Sequence, residues 1–370
     1  MRILIINLIL STAENGIITR RSSNQDTMIY NFAKGFVANG HSVTICASEE
    51  YRPTEAEQNE FEVIFFKSVL PKVFKVDLIP FPKGLKSFVK KNIDNYDVVI
   101  ASEVFQISTL LISNICKGKL VIWQELSMHN NMFFQLPSKF WYNFIVRFSG
   151  IKHALIVGRS ESAKTFIGNF LSHVSDDVVE HGANGDLLKP IKHANKNFVV
   201  LSQLIKRKNI DSIIRKFARL VQIEKYSDFK LNIIGEGSER SNLEKLVRNF
   251  SLESNVKFHG FLRHKEAVAF LADSYALLVD TLKDLNMVTV PEAIVSGTPV
   301  LMNTLPNTAS FVSENRLGIA KDNWDEKDLM DIIENYDEFH DNCIKIREQI
   351  TNVGSAKKMI DIFQKFKDEK

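Results

Sequence analysis

An α/β fold of two doubly wound units, each a parallel sheet, is what the sequence predicts. Three observations predict it. Apolar strand-like runs alternate with helical patterns throughout; the pattern breaks once, near residue 190, and restarts; and 370 residues exceed what one core holds, which stops growing near ~250–300 residues. Continuous apolar strands separated by helices need a sheet covered on both faces. The strand candidates of the first half are Ile3–Leu10, Val43–Ala47, Val63–Phe66, Val98–Ala101, Leu120–Trp123 and Leu155–Val157. Met28, Phe32, Phe36 and Val37 give Thr27–Asn39 one apolar helical side, which Gly40 closes. Lys189 to Asn197 is polar and holds Pro190, which marks a linker. After it come strand Phe198–Leu201, helix Ile210–Ile223, strand Lys230–Ile234 and helix Ser241–Phe250. Strands Val256–Phe258, Ala276–Asp280 and Pro299–Met302 follow. Domains are expected at 1–188 and 189–353, with a terminal segment 354–370 whose helix starts near Ala356. Ligands of such sheets bind at the carboxyl ends of the strands and in the cleft between domains.

Composition narrows the function. Apolar content of 45% and charge of 25% are ordinary for a globular protein, and a net charge of +3 gives no case for nucleic acid. Cys46, Cys116 and Cys343 are odd in number and far apart, so they form neither a disulfide framework nor a metal pattern, and a reduced cytosolic compartment fits. Met1–Leu10 is apolar but too short to span a bilayer and lacks a small-residue cleavage site, so it reads as a buried first strand. No metal-binding Asp-x-Asp loop is evident.

Four segments carry chemistry. In Asp284-Leu-Asn-Met-Val-Thr-Val-Pro-Glu292-Ala-Ile-Val-Ser-Gly297-Thr-Pro-Val300, two carboxylates eight residues apart bracket a loop running into a short helix. Gly297 ends that helix, and Pro291 lies near its first turn. Its N-terminal amides, near Asn286, Met287 and Val288, suit phosphate groups. Ile233-Ile-Gly235-Glu-Gly237 is a strand and a glycine turn before a helix, where the backbone can turn tightly or approach a ligand. Ser202-Gln203-Leu-Ile-Lys206-Arg207-Lys208-Asn209 places cations between a strand and a helix, suited to an anionic ligand. Val178-Val-Glu-His181-Gly182-Ala183-Asn184 has a turn glycine near the domain entrance.

These segments resemble those of the retaining, family-4-type glycosyltransferases of GT-B architecture. The acid pair resembles that family's Glu-x7-Glu, with Asp284 one methylene shorter than the usual first acid; the loop Leu-Asn-Met-Val-Thr replaces the usual Gly-Phe-Gly-Leu-Pro. Lys208 matches the lysine of its Gly-Arg-Leu-x-x-x-Lys-Gly element, while Gln203 stands at the arginine position, and lysine does not copy arginine's paired donors. The resemblance implies two Rossmann-like domains facing a cleft and a C-terminal helix crossing back to the first. It implies that Lys208 steadies the diphosphate, Glu292 the ribose and Asp284 the sugar. Gln203, Arg207, Gly235, Gly237, Leu262, Asn286, Met287 and Val288 would complete the donor side. It implies no metal and no cofactor, with a UDP-sugar favoured and a GDP-sugar as the alternative.

On the acceptor side, His129 and Glu125 follow the strand Leu120–Trp123, and the resemblance offers either as a polar group facing the sugar, His129 in a catalytic role. Gly16, Arg20 and Arg21 follow the first strand, where an anionic acceptor would be met. Lys67–Lys91 holds seven lysines against Asp77, interleaved with Phe74, Phe81 and Phe88, a composition that suits an anionic membrane surface. The expected protein moves a hexose-type sugar to a glycan or lipid-linked acceptor in surface polysaccharide synthesis. It would be cytoplasmic, at the inner face of the cell membrane. A catalytically silent nucleotide-sugar-binding subunit and a GT-B sugar-nucleotide epimerase are the alternatives.

Overall fold

The computed structural model describes residues 1–11, 18, 20–130, 132–180, 182–191, 195–284 and 287–369. The chain forms two compact units, residues 1–182 with 352–370, and residues 183–351. The polar stretch after Lys189 therefore lies inside the second unit, and the chain crosses between units at Gly182.

The first unit is a six-stranded, all-parallel sheet. Its strands are β1 Arg2–Ile6, β2 Ser42–Ser48, β3 Glu62–Phe66, β4 Val98–Ser102, β5 Leu120–Gln124 and β6 Leu155–Gly158, in the order β3-β2-β1-β4-β5-β6. Side chains of a strand alternate between faces, so each strand feeds two cores. Ile3, Ile5, Val98, Ile100 and Trp123 bury against Phe32 and Phe36 of the helix Met28–Ala38 and against Met359, Ile360 and Phe363 of the helix Asn352–Asp368. Leu4, Ile6, Val99, Ala101 and Ile122 bury on the other face with Leu85, Ile112 and Tyr142. β1 stops four residues earlier than expected. There Asn7 turns its side-chain amide onto the Ile9 carbonyl at 3.1 Å, and the pairing with β2 runs out through Asn7 N–H to the Cys46 carbonyl and Ser48 N–H to the Leu8 carbonyl, each 3.1 Å.

The C-terminal helix belongs to the first unit. Gly35 makes this fit, because a Cβ there would lie 2.0 Å from the Asn352 carbonyl oxygen. Asn352 donates to the Asn31 carbonyl at 3.0 Å, and Asn39 to the Val353 carbonyl at 2.9 Å.

The second unit repeats the topology with β7 Asn197–Leu201, β8 Lys230–Ile234, β9 Val256–Gly260, β10 Ala276–Val279, β11 Val300–Met302 and β12 Gly318–Ala320, ordered β12-β11-β10-β7-β8-β9. Phe198, Val200, Leu231, Ile233 and Leu278 pack beneath the helix Ile210–Val221 and Trp324. Val199, Ile234, Leu277, Val279 and Val300 pack on the other face with the helices His264–Ala272 and Thr289–Val295. The edge strand β12 has no sequence signal: it is three residues long and opens on Gly318, where a Cβ would meet the Val300 oxygen at 2.1 Å. In both units the order reverses beside the first strand, which opens a crevice at the carboxyl ends of the central strands.

Candidate functional site

β7 and β10 are neighbours, and their carboxyl-end loops are stitched together. Leu201 leads through Ser202–Ile205 into a single 3₁₀ turn, Lys206–Lys208, which ends at Asn209 with φ +52°. Asparagine tolerates this left-handed conformation. The Leu282 N–H donates to the Arg207 carbonyl at 2.8 Å, and Thr281 Oγ1 reaches the same oxygen at 3.1 Å. The loop after β10 thus lies on the cationic turn. Asp284 Oδ2 is 2.6 Å from Lys208 Nζ and accepts from Thr281 Oγ1 at 2.8 Å, while Arg207 meets its other oxygen. Burial, and then the neighbouring Arg207 guanidinium, push the Lys208 amine down to about 8. Two cations on one carboxylate leave a local charge of +1, and Arg207 is the exposed member of the three. Such a group can turn one or both cations onto a diphosphate.

A buried pair missed by sequence reasoning braces this cluster. Asp280 takes Lys216 Nζ at 2.6 Å and Asn209 Nδ2 at 3.3 Å, and the Lys216 amine stands 4.0 Å over the Trp324 ring.

Glu292, on the helix Thr289–Val295, is nearly enclosed, and its Oε1 lies 2.8 Å from His264 Nε2. His264 opens the helix after β9, so the ribose candidate is tied to the loop that carries Leu262. No periodic or charge signal singled out His264, which lies two residues past the donor-side candidate Leu262.

Gly235 and Gly237 fit close packing. A Cβ on Gly235 would stand 1.9 Å from the Ser202 oxygen, and one on Gly237 2.3 Å from the Leu204 oxygen. The close approach they permit is to the loop after β7, sealed by Leu204 N–H to the Glu236 carbonyl at 2.9 Å. Met287 is buried in the apolar core, so its backbone alone can meet a ligand, whereas Val288 and Gln203 are exposed. The helix at 289–295 is only seven residues long, too short to add much field to its N-terminal amides. Asn286 and His181 lie outside the described residues, as does Gly16.

In the first unit the candidates fall in different places. Glu125 Oε2 is 2.6 Å from Arg159 Nη1, and Arg159 lies 3.9 Å over the Trp123 ring. Glu103, at φ +63°, accepts from the Glu125 N–H at 2.6 Å and the Leu126 N–H at 3.3 Å. Burial pushes the Glu103 carboxyl up to about 7; Arg159 opposes this and Glu125 adds to it. Neither Glu103 nor Arg159 was singled out by sequence, although both stand at the carboxyl ends of strands. His129 instead packs against Tyr142, Phe166 and Phe170, with Nδ1 3.1 Å from Ser138 Oγ, and burial lowers its pKa. Arg20 lines a 640 Å³ cavity with Lys72, Lys75, Glu50 and Asp77, walled by Ile18, Pro71 and Val76. Arg21 is exposed and gives its carbonyl to the Thr54 N–H at 3.0 Å. In Lys67–Lys91 the rings are half-buried and paired, Phe74 with Phe81 and Phe88 with Phe66 of β3, while Leu70 and Val73 are exposed among the lysines. Among the described residues there is no metal-binding cluster, and no helix is long and apolar enough to cross a membrane.

Residues 188–352 match the family model of glycosyl transferases group 1. An uncharacterized glycosyltransferase of Haemophilus influenzae is 24% identical over 300 residues, covering 78% of this chain and 79% of that protein. A glycosyltransferase of Rickettsia africae has the same fold with a TM-score of 0.68, at 14% identity and 98% coverage of both chains. Anabaena Alr3699/HepE, solved in complex with UDP, follows at a TM-score of 0.64, 15% identity, and 99% and 100% coverage. The chain thus has two doubly wound units of GT-B type, and its similarity to the group 1 glycosyl transferases lies in the second of them.

Proposed function

We propose that the chain transfers a hexose-type sugar from a nucleoside-diphosphate donor to a glycan or lipid-linked acceptor, with retention at the anomeric carbon and without a metal. The observation that carries this is the convergence of Arg207 and Lys208 on Asp284 beside β7 and β10. Lys208 takes the diphosphate, and Arg207 supplies the paired donors that Gln203 does not. Glu292 accepts from the ribose hydroxyls, and Asp284 faces the sugar. The bond from the anomeric carbon to the diphosphate breaks as the acceptor oxygen bonds on the same face, and the hydroxyl proton passes to a phosphate oxygen. The protein supplies orientation and charge stabilisation. UDP is the favoured leaving group, supported by the UDP held in the Anabaena relative.

On the acceptor side Glu125 is kept as the polar contact. His129 is not, since its ring is packed among Tyr142, Phe166 and Phe170. The Arg20, Lys72 and Lys75 cavity receives an anionic part of the acceptor. The setting is surface polysaccharide synthesis at the inner membrane face, with Lys67–Lys91 toward anionic lipid.

Calorimetric titration with UDP, GDP and ADP, metal-free and alongside Glu292→Ala, tests the reading. Binding of one nucleotide, lost in the variant, supports it. No binding to any overturns it. Binding of a nucleotide sugar with neither transfer nor hydrolysis would make the chain a silent binding subunit.

A further inference from the structure

The helical stretch Leu136–Phe148 repeats every four residues. Ser138, Tyr142 and Val146 form its buried row, held by Tyr142 against Phe105 and by Trp141 Nε1 donating to the Val104 carbonyl at 2.9 Å. Leu136, Phe140, Phe144 and Phe148 form another row and are 65%, 57%, 54% and 85% exposed. Lys139, Asn143 and Arg147 form a third row, also exposed. Steps of four advance about 40° beyond a full α turn, so such rows ordinarily spiral away. Here the middle turn, Trp141–Ile145, is wound as a wider π-helix, which takes back part of that drift and keeps the rings in line. Phe140 and Phe144 stack with centroids 5.2 Å apart.

Four large apolar side chains in one exposed row exceed the scattered hydrophobics of an ordinary surface. Their occupant is identified by charge. No acidic residue occurs between Glu125 and Glu161, while Lys139, Arg147 and Lys152 do. That stretch of chain carries positive charge alone, and a basic row beside an aromatic row is what a lipid interface selects. The loop Glu103–Gln106 joins this surface to the lysine-rich segment: Phe105 meets Trp141 with centroids 5.3 Å apart, and Gln106 Nε2 donates to the Leu78 carbonyl at 2.7 Å.

We propose that Leu136–Phe148 is a membrane-docking helix that inserts Phe140, Phe144 and Phe148 into the interfacial layer of an anionic bilayer, with Lys139 and Arg147 on lipid phosphates. This deepens the reading of a membrane-side acceptor and rests on it. It assigns the inserting surface to this helix, with Lys67–Lys91 adding attraction at long range.

The test is co-sedimentation of the full chain with vesicles of phosphatidylcholine alone and of phosphatidylcholine with phosphatidylglycerol. The full chain should pellet with the anionic vesicles. Phe140→Ser/Phe144→Ser/Phe148→Ser should bind at least about tenfold more weakly, and Lys139→Gln/Arg147→Gln about fivefold more weakly for each charge removed. UDP affinity and thermal midpoint should stay unchanged in both, since these side chains are exposed and lie outside the donor unit. Equal vesicle binding by the triple-serine variant overturns the proposal. So does absence of vesicle binding together with a dimer that the serine variant dissociates, which would assign the row to a second copy. Loss of UDP binding in the unmodified chain would instead sink the transferase reading, independently of the vesicles.

Discussion

Lys208 is a half-buried amine whose charge depends on pH in the working range. Its pKa of about 8 means that above that value the free protein holds it neutral beside Arg207 and Asp284. A diphosphate needs the ammonium, so binding must then take up a proton. UDP affinity should fall as pH rises through about 8, by up to about tenfold per pH unit, and Lys208→Arg should flatten the profile because a guanidinium stays charged. Lys208→Ala should lower turnover by roughly 10²–10³; near-normal steady-state rates would refute its role. Glu103 works in the opposite sense on stability. Its folded carboxyl titrates at about 7 against an ordinary 4.5, so the folded state holds a proton that the unfolded chain has released. Stability should therefore fall as pH rises from 4.5 to about 7, with Glu180, also raised to about 7 by burial, adding the same sign. Thermal unfolding across that window, with Glu103→Gln removing its share, checks this. Lys208, Asp284 and Glu292 were legible as residue types at a spacing. That His264 would take Glu292, and that Arg207 would share Asp284 with Lys208, was not, because those partners come from loops far apart in sequence.

Elements are held in register by a few contacts whose loss should be measurable. Asp280 pins Lys216 and Asn209, so it couples the end of β10 to the start of the helix Ile210–Val221. Asp280→Ala would leave a buried ammonium unpaired and should cost about 3–5 kcal/mol in chemical denaturation. Gly35→Ala would ordinarily favour a helix, but here the new methyl meets the Asn352 oxygen at 2.0 Å. It should destabilise the first unit by about 1–3 kcal/mol, the cost of overpacking. An unchanged denaturation midpoint would refute that seating. The strands were readable because parallel strands buried on both faces are continuous apolar runs. Gly318–Ala320 was not, being shorter than any pattern can mark.

Over the whole chain the two units differ in continuity. The second is one unbroken segment, 183–351, carrying every donor-side candidate, whereas the first needs residues 352–370 to complete a face of its core. Residues 183–351 expressed alone should fold and retain nucleotide affinity, readable by titration. Phe363→Ala should cost about 3–5 kcal/mol and lower only the unfolding transition of the first unit.

The sequence by itself determined the alternation of strands and helices, the restart that makes two units, and the residue types of the donor-side candidates. Those are local: a strand's apolar run, a glycine at a turn and an acid at the start of a helix are specified within a few residues. The tertiary structure decided which of them meet. Strand order places β10 beside β7 across more than seventy residues of chain, and only that adjacency puts Asp284 on Arg207 and Lys208. It also decided that Phe74, Phe81 and Phe88 of Lys67–Lys91 are half-buried while Phe140, Phe144 and Phe148 of Leu136–Phe148 face out. Both segments are aromatic and basic, and which face is covered depends on what packs against it.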